Sequence, residues 1–238
     1  MPLVTAGSKT IFFAHVPKTG GSSVEDYLIR RFGGPLSLRD RTHVSGMRQR
    51  GLLSLATHLT ADDLVDFLPK NLDYSFAVVR NPLERTFSQY RFQSGVSKTS
   101  HLSFSTWLRV MMRCVALDKR VYQNHVRPQS DLVPDEADHF RLEDGFDEMI
   151  ERLDEITGMS SPEITVGHLL KRKHEKIQIS KQDVQLIQSY YDIDYQRFGY
   201  QKRDLKDFPN DPFAGARMAL AYLLAPLIVY RQRRHWLS

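Results

Sequence analysis

The chain has 238 residues, enough for one sizeable core or two small ones. At 41% hydrophobic and 26% charged it has the composition of a globular protein, not of a disordered or fibrous one. A formal net charge of +5 suits an anionic ligand, a nucleic acid or an anionic membrane without choosing among them. The single cysteine, Cys114, excludes any disulfide within the chain and reads as a buried, inert thiol in a reducing compartment.

The opening residues MPLVTAGSKT lack the basic and apolar regions of a signal peptide. No run reaches the roughly 18 apolar residues of a membrane-spanning helix. From Lys9 the run KTIFFAHV is continuously apolar, as in a parallel strand buried on both faces. It stops at Pro17-Lys18-Thr19-Gly20-Gly21-Ser22-Ser23. SSVEDYLIRRF then reads as a helix, with a serine near its cap, an acid in its first turn and Gly33-Gly34 at its end. Residues 35–57 are mixed and Arg-rich and give no assignment. TADDLVDFL opens a helix with Thr60 as N-cap, and DYSFAVVR is a second buried strand.

That strand leads directly into NPLERTFSQYRFQ, where Pro82 suits the first turn of a helix. SFSTWLRVMMRCVA reads as a helix, DHFRL as a third strand, FDEMIERLDEIT as a helix, and SKQDVQLIQSYYDIDYQRF as a capped amphipathic helix. Strands alternating with helices imply an α/β fold whose sheet is mainly parallel. After Tyr200 the composition changes. A polar segment with Pro and Gly precedes an apolar stretch with a basic end, which divides the chain into a domain over 1–205 and a tail over 206–238.

The loop between the first strand and helix has a physical purpose. Amides at a helix N-terminus lack internal partners and carry partial positive charge, so they hold an anion. Gly20 and Gly21 permit close approach or positive φ. Thr19, Ser22 and Ser23 add hydroxyls, and Lys18 adds a full charge. The loop differs from a nucleoside-triphosphate P-loop, in which the lysine follows the glycines and a hydroxyl serves magnesium. The second strand ends in Arg80, not in an aspartate for a metal. A phosphorylated nucleotide without a metal suits the loop, and Arg80 with Ser88 suits a second phosphate.

Together, HVPKTGGSS and FAVVRNPLERTFSQYRF resemble the two nucleotide-binding motifs of sulfotransferases that use 3′-phosphoadenosine 5′-phosphosulfate (PAPS). They are most similar to the carbohydrate branch, the heparan-sulfate 2-O-sulfotransferase-like group and its bacterial relatives. NHVRPQSDLV and YYDIDYQRFGY resemble later segments of that domain, so the resemblance runs from about Lys9 to Tyr200. It implies a P-loop-like three-layer α/β/α fold, PAPS as co-substrate and its desulfated product PAP, with no metal. It places the 5′-phosphosulfate in the Pro17–Ser23 loop and the 3′-phosphate on Arg80 and Ser88. Gly20-Gly21 departs from the heparan-type loop, in which a small residue and a serine are usual, and leaves the backbone nest in place.

Sulfuryl transfer needs a cation where charge grows on the leaving oxygen, for which Lys18 is placed, and a base for the attacking hydroxyl. His58 aligns with the histidine serving as base in the resembled group, and His15 reads as a packed strand residue. His125, Arg127 and Gln129 are expected to line the acceptor cleft, and the run Lys171–Lys173 either reaches the nucleotide or is a solvated face. A magnesium-dependent kinase and a non-catalytic nucleotide-binding module stay open as alternatives. The expected partners are a sugar or other hydroxyl acceptor and no nucleic acid. The expected location is the cytoplasm, with residues 216–236 either touching the inner membrane face or covering an apolar edge of the protein or of a second copy.

Overall fold

The structure is a computed structural model that describes residues 2–33, 58–65, 68–96, 102–160, 164–167 and 177–237. The stretch 35–57 and the basic run 171–173 lie outside them. By its internal contacts the chain divides into two compact units, 1–80 with 129–173 and 81–128 with 174–238.

The first unit holds a four-stranded sheet in the order β1-β2-β3-β4, formed by Leu3–Ala6, Lys9–Ala14, Tyr74–Val79 and Asp138–Arg141. β2 pairs in parallel with β3, and β3 with β4, so the fold is α/β with a mainly parallel sheet. β3 is buried at every residue, and Ile11–Ala14 of β2 are as well, which is why these strands read as unbroken apolar runs. β1 was not foreseen. It is four residues long, buried only at alternate positions, and pairs antiparallel with β2 after a turn at Gly7, φ 60°. So short an edge strand leaves little periodic signal.

Helices α1, Gly21–Phe32, and α2, Ala61–Leu64, also belong to this unit. Thr60 caps α2 in a reciprocal capping box with Asp63. Along the chain follow α3, Pro82–Val96, α4, Phe104–Leu117, and α5, Asp147–Thr157. Val24, Tyr27 and Leu28 of α1 and Met149 and Leu153 of α5 pack with Ile11, Phe13, Phe76, Val78 and Phe140 of the sheet. Arg31 ties the two helices together. It donates to the Asp154 carboxylate and, at 2.6 Å, to the Met159 carbonyl. Phe12, Ala14 and Ala77, on the opposite face of the pleat, are fully buried as well.

The second unit is helical. The expected long helix after Ser180 is two helices, α6, Lys181–Tyr190, and α7, Asp192–Arg197, with Tyr191 between them in a non-helical conformation. The Tyr191 hydroxyl donates to the Val126 carbonyl at 2.8 Å. The last helix, α8, spans Ala214–Leu237 and contains Pro226. Its small residues Ala221 and Ala225, with Val229 one turn on, face the core that Trp107, Leu108, Met111 and Cys114 of α4 build. This helix is thus packed into the unit by one face. Burial pushes the Cys114 thiol up to about 12, which keeps it protonated and inert.

A buried charge pair holds α4 to α6. Arg109 donates to Asp183 Oδ1 at 2.6 Å, and Oδ2 accepts from the Ser105 hydroxyl at 2.6 Å and the Ser180 hydroxyl at 2.7 Å. Burial alone pushes the Asp183 carboxyl up, but the hydrogen bonds from Ser105, Ser180 and Arg109 together hold it below its ordinary value. A carboxyl depressed in the folded state stabilises the fold above its unfolded pKa, and that stability is lost as pH falls through the folded value. Asp183→Asn is therefore expected to cost about 3 kcal/mol at neutral pH by leaving Arg109 buried without that charge. The loss should shrink toward acid pH, as read from urea unfolding across a pH series. A difference independent of pH would show that the carboxylate charge does not carry the effect.

Candidate active site

The loop after β2 is built by backbone handedness. Lys18 has φ 71° and Gly20 φ 88°, while Thr19 between them is not left-handed. Alternating handedness is the backbone pattern of an anion nest, and here it leads directly into the first turn of α1. Gly20 is the N-cap of that helix and no side chain caps it. The Thr19 side chain is fully buried and its hydroxyl donates back to the Val16 carbonyl at 2.9 Å, which closes the turn. Pro17 and Ser23 are buried, Lys18 is half-buried and Ser22 is exposed.

Gly20 is favoured by its left-handed φ and Gly21 by space. A Cβ on Gly20 would stand 3.1 Å from Leu142 Cδ1 and 3.4 Å from Phe146 Cζ. On Gly21 it would stand 2.4 Å from Cδ2 and Nε2 of His15, closer than side chains approach. The glycine pair thus lets an imidazole lie against the start of α1.

His15 does more than pack. Its Nδ1 lies 2.5 Å from Oε1 of Glu25, a carboxylate that is itself buried. The His58 ring meets the His15 ring edge-on, with centroids 5.1 Å apart and planes at 84°. His58 is buried, directly ahead of the Thr60-capped α2. Two imidazoles and a carboxylate therefore form one cluster next to the helix start. The sequence leads to an acid in the first turn of the helix, but none lies there. The helix begins at Gly21, so Glu25 falls in the second turn and is spent on His15 instead. The available signal was an acid on the apolar face of α1, one residue from Val24 and three from Leu28.

Arg80 follows β3, and its main chain is held at two points by one side chain. Gln129 Oε1 accepts from the Arg80 amide at 2.9 Å, and Gln129 Nε2 donates to the Arg80 carbonyl at 2.8 Å. The Arg80 guanidinium extends to the Lys18 carbonyl, a long contact of 3.4 Å. The loop of one motif and the strand-end arginine of the other are therefore brought together. Gln129, expected at an acceptor cleft, is fully buried and uses both ends of its amide on Arg80; it positions the arginine.

The remaining expected residues lie in the second unit. Ser88 is half-buried on α3. His125 stacks on Phe92, with centroids 5.6 Å apart, and its Nδ1 lies 3.1 Å from Gln89 Oε1. Arg127 donates from Nε to the Lys119 carbonyl at 3.2 Å. Sequence reasoning did not single out Arg85, which is buried and donates to the carbonyls of both His125 and Arg127, at 3.0 and 2.8 Å. The preceding turn holds three consecutive left-handed residues without glycine, Tyr122, Gln123 and Asn124. Such a conformation costs roughly 1–2 kcal/mol per residue. The Arg85 contacts, with the Tyr122 amide donating to Gln232 of α8 at 2.8 Å, hold it in place.

No curated protein and no solved structure matches the chain. The model of the sulfotransferase family matches residues 1–201, a span that includes the glycine loop, the His15–Glu25–His58 cluster, Arg80 and Ser88. By that match, over most of its length, the chain belongs to the sulfotransferase family.

Proposed function

We propose that this protein transfers the sulfuryl group of PAPS to a hydroxyl of a carbohydrate, with His58 as the base. The observation that carries the donor reading is the approach of the Arg80 guanidinium to the Lys18 carbonyl, which unites a strand-end cation with an anion nest. The fit to a phosphosulfate is one of shape and charge. The loop offers amides and Lys18, and at residue 20 a Cβ would crowd Leu142 and Phe146. Arg80 and Ser88 are proposed for the 3′-phosphate on the strength of the second motif. A carbohydrate acceptor is supported by the branch that the motifs resemble, with His125 and Arg127 as proposed contacts.

PAPS supplies an activated sulfuryl group whose bond to the phosphate oxygen breaks as the acceptor oxygen bonds to sulfur. His58 takes the proton of that hydroxyl. Lys18 and the loop amides stabilise the charge that develops on the leaving oxygen. Glu25 fixes the His15 ring through Nδ1, and His15 in turn supports the edge of His58. A buried carboxylate behind an imidazole is the arrangement by which hydrolases orient a base, so His15 is the second reading for this role.

Lys18→Ala is expected to lower turnover by about 10²–10³-fold. Alanine carries the same Cβ into the left-handed position, so the melting temperature should hold and the loss report the ammonium alone. Turnover near that of the parent would remove this loop from the reacting site.

Arg80→Ala and Ser88→Ala are expected to weaken PAP binding by roughly 10- to 150-fold each, as charge-assisted contacts do. Binding of adenosine 5′-phosphosulfate, which lacks the 3′-phosphate, should change little. Calorimetry with both ligands decides, since equal losses would mean that these residues do not read that phosphate.

His58→Ala should cut kcat by about 10²–10⁴-fold with PAP affinity preserved. Glu25→Gln should cut it less and alter the pH profile of kcat, because it removes the charge behind His15. If His15→Ala abolishes turnover while His58→Ala retains it, the base is His15.

A further inference from the structure

Helix α8 has two apolar faces, and the fold uses one. Ala221, Ala225 and Val229 are buried against α4. On the opposite side Leu220, Leu223, Leu227 and Tyr230 follow one another at spacings of three and four residues, so they form one stripe along the helix. Leu223 is 71% exposed, Leu227 60% and Tyr230 64%, in a chain whose largest apolar side chains are otherwise mostly buried. The same stripe continues into Arg231 and Arg234, both exposed. Contiguous exposed apolar surface of this kind marks a contact with something else.

Charge selects the partner. Of the 33 lysines and arginines set against 28 acids in the chain, four arginines and no acid fall in residues 212–238. Nearly all of the net +5 is therefore concentrated in this segment. Arg217 is occupied by Asp211, and Arg233 by Asp118, which leaves Arg231 and Arg234 as the charges on the outward stripe. A second copy of the same helix offers no acid to meet them, so a self-complementary contact on this face would bring arginines together without counter-charges. Tyr222 stands beside the stripe, 54% exposed, with the Arg113 guanidinium 4.4 Å from its ring centre. Leucines flanked by tyrosine and arginine suit the boundary between acyl chains and anionic headgroups.

We propose that the outward face of α8 docks on an anionic lipid surface, with Leu220, Leu223, Leu227 and Tyr230 entering the interface and Arg231 and Arg234 meeting headgroup phosphates. The helix lies along the surface. Its inner face stays on α4, and among the described residues no helix is long and apolar enough to cross a membrane. This docking brings the protein to acceptors that are themselves held at a membrane, and it is independent of the nucleotide chemistry.

The test is cosedimentation of the full chain with vesicles of phosphatidylcholine alone and of equal parts phosphatidylcholine and phosphatidylglycerol. Binding is expected to the anionic vesicles, to weaken at high salt, and to be about tenfold or more lower on phosphatidylcholine alone. Leu223→Gln with Leu227→Gln should abolish it, and Arg231→Gln with Arg234→Gln should reduce it by about tenfold or more. All four positions are exposed, so melting temperature and PAP binding should match the parent. Failure of the full chain to bind anionic vesicles overturns the proposal, as does binding that survives the double leucine substitution. A dimer in light scattering that the leucine substitutions dissociate also overturns it and makes the face an interface between copies.

Discussion

The handedness of the backbone between Lys18 and Gly20 is the constraint on which the site depends. Two left-handed residues flank one that is not, and α1 starts immediately afterward. That pattern is the one by which backbone amides form an anion nest, and it costs energy at Lys18, which is not glycine. The surroundings hold it in place. Thr19 ties the turn to Val16, Leu142 and Phe146 lie beside Gly20, and Arg80 reaches the Lys18 carbonyl from the end of β3. The parallel pairing of β2 with β3 puts both strand ends on the same edge of the sheet, where open α/β folds bind ligands.

Buried charge is used in the same way in several places, always with its partner included. Glu25 holds His15, Arg31 joins Asp154, Arg109 meets Asp183, and Arg85 is satisfied by main-chain carbonyls and the face of Tyr191, 5.8 Å away. Desolvating such groups costs several kcal/mol per ion, so each pair does less for net stability than for geometry. Around the site the gain is orientation. Gln129 fixes the main chain of Arg80 and Glu25 fixes the ring of His15, so the groups proposed to act are held by neighbours that are not. For α8, burial settles only half of the helix. Small residues allow close approach to α4 on one side, while the leucines on the other gain nothing from the fold.

The sequence by itself determined the mainly parallel sheet, because strands buried on both faces must be apolar throughout, as Ile11–Ala14 and Tyr74–Val79 are. It determined the caps at Thr60 and Ser180, since capping needs only residues three apart. It also placed the glycine loop between strand and helix, because handedness and close approach restrict the choice of residue. Tertiary structure decided what depends on partners distant along the chain. It made Glu25 the companion of His15 and Gln129 the clamp of Arg80, and gave the carbonyls of His125 and Arg127 to Arg85. It broke the helix after Ser180 at Tyr191, whose hydroxyl reaches Val126, and it sorted α8 into a buried and an exposed face. Local pattern encodes periodicity and backbone conformation, whereas the partner of a buried polar side chain is set by packing across long loops, which no window of neighbouring residues contains.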